Sequence, residues 1–158
     1  KLSLLGANWL LASSELVENV QNAVDPPPNQ GLGLGMAPIG AQVTAVAPTE
    51  LTVNVSAALT LQSGYQIGQV QQPIEEAIEA YLLTVRKEWD TNTSTTGVAY
   101  AADVYLARIT AAIVGVAGVV NATNVQLNGG TADLVLTENG TTQQVPVIGT
   151  VTLTEGSA

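Results

Sequence analysis

Three groups of residues have types and spacings that chemistry uses. Gly31, Gly33 and Gly35 alternate within "DPPPNQGLGLGMAPIGAQ", Asp25 to Gln42, in the manner of a loop that cradles a phosphate. Such a cradle follows a strand and opens directly into a helix N-terminus, so that backbone N–H groups point at the anion. Here the glycines follow a helical pattern and lead into an extended one, which is the reverse order. No lysine stands between Lys1 and Lys87, so the phosphate-binding lysine of a P-loop is missing as well. The spacing predicts a crossover loop without a phosphate. Glu75, Glu76 and Glu79 have the makings of an acid/base pair or a divalent-cation cluster. A carboxylate pair for glycoside chemistry faces one cleft, whereas these three lie opposite an apolar helix stripe and read as a solvated face. Asp25, Glu50, Asp90, Asp103, Asp133, Glu138 and Glu155 are dispersed, with no calcium-loop spacing.

The third group is the hydroxyls. Serine and threonine are plentiful, but a hydroxyl nucleophile needs a base. There is no histidine to serve, and no Ser-x-x-Lys motif. The absence of histidine and cysteine removes the commonest general base, the usual zinc ligands, disulfides and iron–sulfur clusters. Tyr81 and Trp89 offer a stacking platform for a sugar or base, yet they fall in helical phase with Ile74 and Ile78 and read first as core. Four Asn-x-Ser/Thr matches (Asn54, Asn92, Asn121, Asn139) are what chance produces in an Asn- and Thr-rich chain. No catalytic, cofactor-binding or metal-binding residue is assigned, and the chain reads as non-enzymatic.

Composition points the same way. Four Lys+Arg against thirteen Asp+Glu give a net charge of −9, which repels phosphate backbones and anionic lipid and disfavours nucleic acid and membrane surfaces as partners. Only 11% of residues are charged and 46% are hydrophobic, a balance closer to a packed assembly component than to a free enzyme. No run of about 18 apolar residues is present to span a membrane. The chain of 158 residues fits one ordinary domain or two small ones. It opens on Lys1 without a signal pattern, and so reads as part of a longer protein.

The elements that would position these residues follow from periodicity. "KLSLL" reads as a short strand. Ser13-Ser14 cap a helix with Leu16, Val17, Val20, Ala23 and Val24 as its buried stripe, ended by Asp25 and three prolines. Val43 to Ala47 reads as a strand broken by Pro48. Leu51, Val53 and Val55 alternate with polar residues as a half-buried strand. "GQVQQPIEEAIEAYLLTVRKEW" is a helix whose face carries Ile74, Ile78, Tyr81, Leu82, Val85 and Trp89, with the glutamates at its start, Arg86 and Lys87 at its end, and Pro73 in its first turn. Asp90 to Gly97 is a polar loop without apolar anchors, expected to be mobile. A second amphipathic helix spans about Ala101 to Val114 and shows Tyr105, Ile109, Ala112 and Ile113 on one face. "GVVNATNVQL" and "ADLVLT" form a hairpin across Asn128-Gly129-Gly130. Glu138-Asn139-Gly140 turns into "VPVIGTVTLT", a last strand whose Pro146 suggests that it begins at an edge or a bulge.

The class is therefore α+β: a mostly antiparallel sheet packed against two amphipathic helices, preceded by a smaller β-α-β piece. The boundary falls at Pro48–Thr49. It divides 1–48, the end of a preceding domain, from 49–158, a C-terminal α+β domain.

The order of these segments resembles the baseplate J-like proteins of contractile-tailed phages and prophages. "SSELVENVQNAVDPPPNQGLGLGMAPIGAQVTAVAPTELTVNVSAALTL" is similar to the later part of that family. "IEEAIEAYLLTVRKEW", "VYLARITAAIVGVAGVVNATNVQLNGGTADL" and the strand-rich end are similar to its C-terminal domain. The strongest pieces are "APIGAQVTAVAPT" and the succession of "RITAAI" and "GVVNATNVQLNGG". Ala117 stands where the family is expected to carry proline. The resemblance implies a structural component of the tail baseplate, with residues 1–48 ending a middle domain. Its copies would contact one another and neighbouring wedge proteins in the ring around the hub, which rearranges on sheath contraction. The resemblance implies no cofactor, no small-molecule substrate and no catalytic residue. It places the chain in the virion tail, and in the host bacterial cytoplasm during assembly. The rival from another class is a receptor- or carbohydrate-binding module at a virion tip. That reading asks for an exposed aromatic cluster or cation site from a chain with two Trp, four Tyr and no Phe.

Overall fold

The structure is a computed structural model that describes residues 1–88, 93–94, 97–98, 103–137, 139 and 141–156, with the Asn8 side chain set aside. Trp89, most of the Asp90–Gly97 loop, the Ala101 end of the second amphipathic helix, and Glu138 and Gly140 of the last turn lie outside the described residues. The chain divides into two compact units, Lys1–Thr49 and Glu50–Ala158.

The first unit is a β-α-β piece. β1 (Leu2–Ser3) leads through a 3-10 turn at Ala7–Trp9 to α1 (Ser14–Val24), and the chain returns as β2 (Ala45–Val46), parallel to β1. Ser13 caps α1, its Oγ accepting from the Leu16 N–H at 3.2 Å, and Glu15 sits in the first turn where the helix dipole favours it. The expected buried stripe of α1 is not buried: Leu16 and Ala23 are exposed, and Val17, Val20 and Val24 are half-covered. A sheet of two short strands offers too little apolar surface within this unit to cover a whole helix face. The strand expected at Val43–Ala47 is also reduced to Ala45–Val46, because the backbone at Val43 is bonded to side chains instead of a neighbouring strand.

The second unit holds the core. β3 (Thr49–Leu61) runs for 13 residues, and Val53, Val55, Ala57 and Leu59 turn alternately inward, as period two demands. After it come α2 (Ile67–Lys87), the short antiparallel pair β4 (Thr93–Ser94) and β5 (Gly97–Val98), α3 (Leu106–Val114), β6 (Val119–Leu127) and β7 (Gln144–Glu155). The larger sheet has the order β6-β3-β7. β6 is antiparallel to β3, with Val55 opposite Leu127 and Leu59 opposite Ala122. Along β7 the contacts with β3 advance together: Thr150 reaches Asn54, Thr154 reaches Ala57 and Gly156 reaches Leu59. That is the sense of a parallel pair, so the sheet is mixed. α2 packs chiefly on β7, and α3 on β6 and α2. The fold class is α+β.

Three local features depart from what periodicity suggests. α2 begins at Ile67, about one turn earlier than Pro73 would allow if proline had to stand in the first turn. The Gln69 side chain reaches back to the Gln66 N–H at 2.9 Å and starts the helix there. Pro73 then costs an interior helix bond. The fully buried stripe of Val70, Ile74, Ile78 and Leu82 outweighs it. The glutamates consequently stand in mid-helix, and no acidic residue occupies the first turn. α3 starts at Leu106, capped when the Asp133 carboxylate accepts the Leu106 N–H at 2.7 Å, and Tyr105 lies outside the helix and exposed. β6 carries a bulge: Ser56 opposes Gln126 but Ala58 opposes Thr123, and Asn124 takes φ 51° to absorb the extra residue.

The Asn128-Gly129 turn forms with positive φ at both residues, 49° and 79°, as a type I′ turn requires. The strand after it does not stay with β6. Among the described residues only Gly130 bridges back to Leu127, and Leu134 pairs instead with Val104. Gly118 is required where β6 begins. It has φ +93°, and a Cβ there would overlap the Tyr65 ring. Gly118→Ala is expected to lower stability by about 2 kcal/mol through backbone strain and displacement of Tyr65. Urea melts of the two proteins check the figure, and a companion Tyr65→Ala should remove the steric share.

Candidate functional site

The glycine loop is built around its own anion. Asp25, 1% exposed at the C-terminus of α1, accepts the Gly31 N–H at 2.8 Å through Oδ1 and the Val43 N–H at 2.9 Å through Oδ2. The two ends of the loop are thus fastened to one carboxylate. Gln21 fastens the same region from one helical turn earlier, donating to the Asp25 and Val43 carbonyls (2.6 and 3.0 Å) and accepting from the Ala45 N–H at 2.8 Å. Farther along, Met36 and Ala37 donate to the last carbonyls of α1, Ala23 and Val24. Gly35 permits this approach: a Cβ there would lie 2.5 Å from the Val24 oxygen. The N–H that a phosphate would need at Gly31 is already occupied by Asp25. What the loop presents outward is apolar: Leu32, Leu34, Met36 and Ile39 are 59–83% exposed.

The three glutamates of α2 are brought to one side of the second unit. Gln71 donates to Glu75 (2.6 Å) and Gln72 to Glu76 (2.9 Å), while Glu79 pairs with Arg86 two turns on. Together they rim a groove of about 820 Å³ between α2 and β7. Among the described residues no group of three His, Cys, Asp or Glu side chains is placed to hold a metal ion.

Arg86 was legible only as a helix-ending cation, but it is buried at 1% exposure. Its Nη1 donates to the Pro146 carbonyl on β7 at 2.9 Å and its Nη2 to Glu79. Its Nε has no partner among the described residues. The spacing of seven from Glu79, two turns along one face, was the available signal.

Tyr81 does not present its ring as a platform. It is half-buried against the core, and its hydroxyl accepts the Tyr105 N–H at 3.0 Å. Burial pushes its pKa above the usual phenol value, against a smaller lowering by that hydrogen bond. Trp89, its suggested partner, lies outside the described residues.

Asn54 and Asn128 knit the strand ends. Asn128 Oδ1 accepts the Asn54 N–H at 2.8 Å, Asn128 Nδ2 donates to the Thr52 carbonyl at 3.0 Å, and Asn54 Oδ1 accepts the Thr150 N–H at 2.9 Å. The shallow cleft between these residues, about 310 Å³, is lined by these bonded groups together with Val55, Ser56, Gly129 and Thr152. No helix among the described residues is long and apolar enough to cross a membrane.

Two similarities to known proteins frame these surfaces. Among curated proteins, Phage-like element PBSX protein XkdT of Bacillus subtilis (strain 168) is 28% identical over 155 residues, which cover 98% of this chain and 39% of XkdT. Uncharacterized protein YqbT of the same organism is 38% identical over 78 residues, 49% of this chain and 22% of YqbT. The chain thus spans about two fifths and about one fifth of the length of these relatives. Residues 53–154, which take in α2, α3 and most of the three-stranded sheet, match the family described as Baseplate J-like protein C-terminal domain. The chain belongs to the Baseplate J-like protein family.

Proposed function

We propose that the chain is a structural, non-catalytic part of a phage or prophage tail baseplate. It works by holding other copies of itself and neighbouring tail proteins in the ring around the hub. The observation that carries this reading is the family match across the α+β unit, residues 53–154. Its alignment with the phage-like-element protein over nearly the whole chain supports it. Residues 1–48 are then the end of a middle domain and 49–158 the C-terminal domain. The chain acts in the virion tail after assembly in the host cytoplasm, without nucleic acid, membrane or small-molecule partners. The exposed apolar side chains of the loop at Leu32, Leu34, Met36 and Ile39 suit such contacts.

With few charges to contribute, the assembly contacts are largely apolar and hydrogen-bonded, and therefore tolerant of salt. Rings gain stability from repetition among linked copies, so a single isolated segment binds weakly. Analytical ultracentrifugation at low and high ionic strength checks this. The 158-residue chain is expected to be monomeric or weakly dimeric, and the full-length protein to assemble with its tail neighbours in both salts. A full-length protein that stays monomeric with those neighbours, beside a chain that binds a glycan tightly, would establish the tip-binding module instead.

A further inference from the structure

We propose that the groove between α2 and β7 docks an extended, cation-bearing segment of another protein. β7 ends the sheet order β6-β3-β7, so among the described residues it has a strand neighbour on one side only. Thr150, Thr154 and Gly156 are engaged with β3. The opposite flank faces α2, where Gln71 takes the Val151 carbonyl at 3.0 Å. One wall of the groove carries Glu75, Glu76 and Glu79, and its apolar floor includes Leu83, Ile148 and Val151. The α2 wall runs from Gln72 to Leu83, a rise of roughly 16 Å, which matches about five residues of extended chain.

Charge decides the occupant. Glu75 and Glu76 are hydrogen-bonded by neutral glutamines, and among the described residues the cationic partner on this rim, Arg86, goes to Glu79. An apolar segment without cations would desolvate these carboxylates with nothing in return, and an anionic one would be repelled. Lysine or arginine alternating with apolar residues satisfies both rim and floor. A second copy of this sequence does not supply such a segment. Its cations are Lys1, Arg86, Lys87 and Arg108, and the one adjacent pair includes the buried Arg86. The groove would take a basic segment whether or not the chain serves a baseplate.

The test uses the 158-residue chain and a blocked peptide of alternating lysine and valine, with a glutamate-for-lysine peptide as control. Affinity is read by fluorescence anisotropy and location by amide chemical shifts. The lysine peptide is expected to bind saturably, with shifts concentrated at 75–83 and 147–152, and to weaken with salt. The combined substitution Glu75→Gln and Glu76→Gln is expected to weaken it about tenfold without lowering Tm. Absence of saturable binding, shifts spread outside α2 and β7, equal binding of the two peptides, or unchanged affinity in the double variant would each overturn the proposal. Self-association of the chain that the lysine peptide competes away would assign the groove to a second copy instead.

Discussion

Arg86→Ala is expected to lower the stability of the unit that contains it by about 3 kcal/mol, while Arg86→Met loses only about 1 kcal/mol. The guanidinium is buried beneath β7, where it bridges Glu79 to the Pro146 carbonyl. Truncation to alanine leaves that carbonyl without its donor and opens a void at the α2–β7 seam. It also frees Glu79, but that side chain is 41% exposed and water replaces part of what it loses. The expected loss therefore sits at the low end for breaking a buried ion pair. Methionine refills the stem volume and removes a charged group whose Nε is unsatisfied among the described residues. Urea denaturation of the three proteins measures the order. If alanine and methionine destabilise equally, the charge contacts matter and the packing does not.

The second large effect is expected at Asp25. Asp25→Ala removes the acceptor for two N–H groups at once, Gly31 and Val43, and should cost about 3 kcal/mol, since each orphaned buried donor costs about 1–3 kcal/mol. Asp25→Asn should recover part of this. Its single carbonyl oxygen serves one amide, while its NH₂ meets the other donor. Hydrogen exchange locates the effect: the Gly31 and Val43 amides should exchange much faster in the alanine variant, with the amides of β3 and α2 unchanged. Unchanged protection at Gly31 and Val43 would show that the loop is held by its α1 contacts and not by the carboxylate.

Much of the second unit was readable from local pattern. The face of Ile74, Ile78, Leu82 and Val85 and the alternation through Val53 and Val55 are buried as their periods require. Local pattern works there because a large apolar layer rewards it. It fails at α1, where Leu16 keeps helical spacing but is 39% exposed. It also misplaced Pro73 within α2, since a proline normally marks a first turn, and here burial of Val70 and Ile74 around it overrides that preference. The type I′ turn at Asn128-Gly129 was visible in two residues. The fate of the strand after it was not, because Leu134 pairs with Val104 thirty residues away. Asp25 and Arg86 were read as helix-terminal residues for the same reason. Their roles depend on Gly31 and Val43, and on Pro146, which only the tertiary fold brings beside them.

The baseplate account is tested most directly by a cryo-electron microscopy map of the tail of the particle that carries this chain. The account expects the α+β unit, residues 50–158, to be found in the ring around the hub, repeated by the symmetry of the baseplate and touching neighbouring tail proteins. Density for this unit only at a free fibre tip, or its absence from the tail altogether, would contradict it.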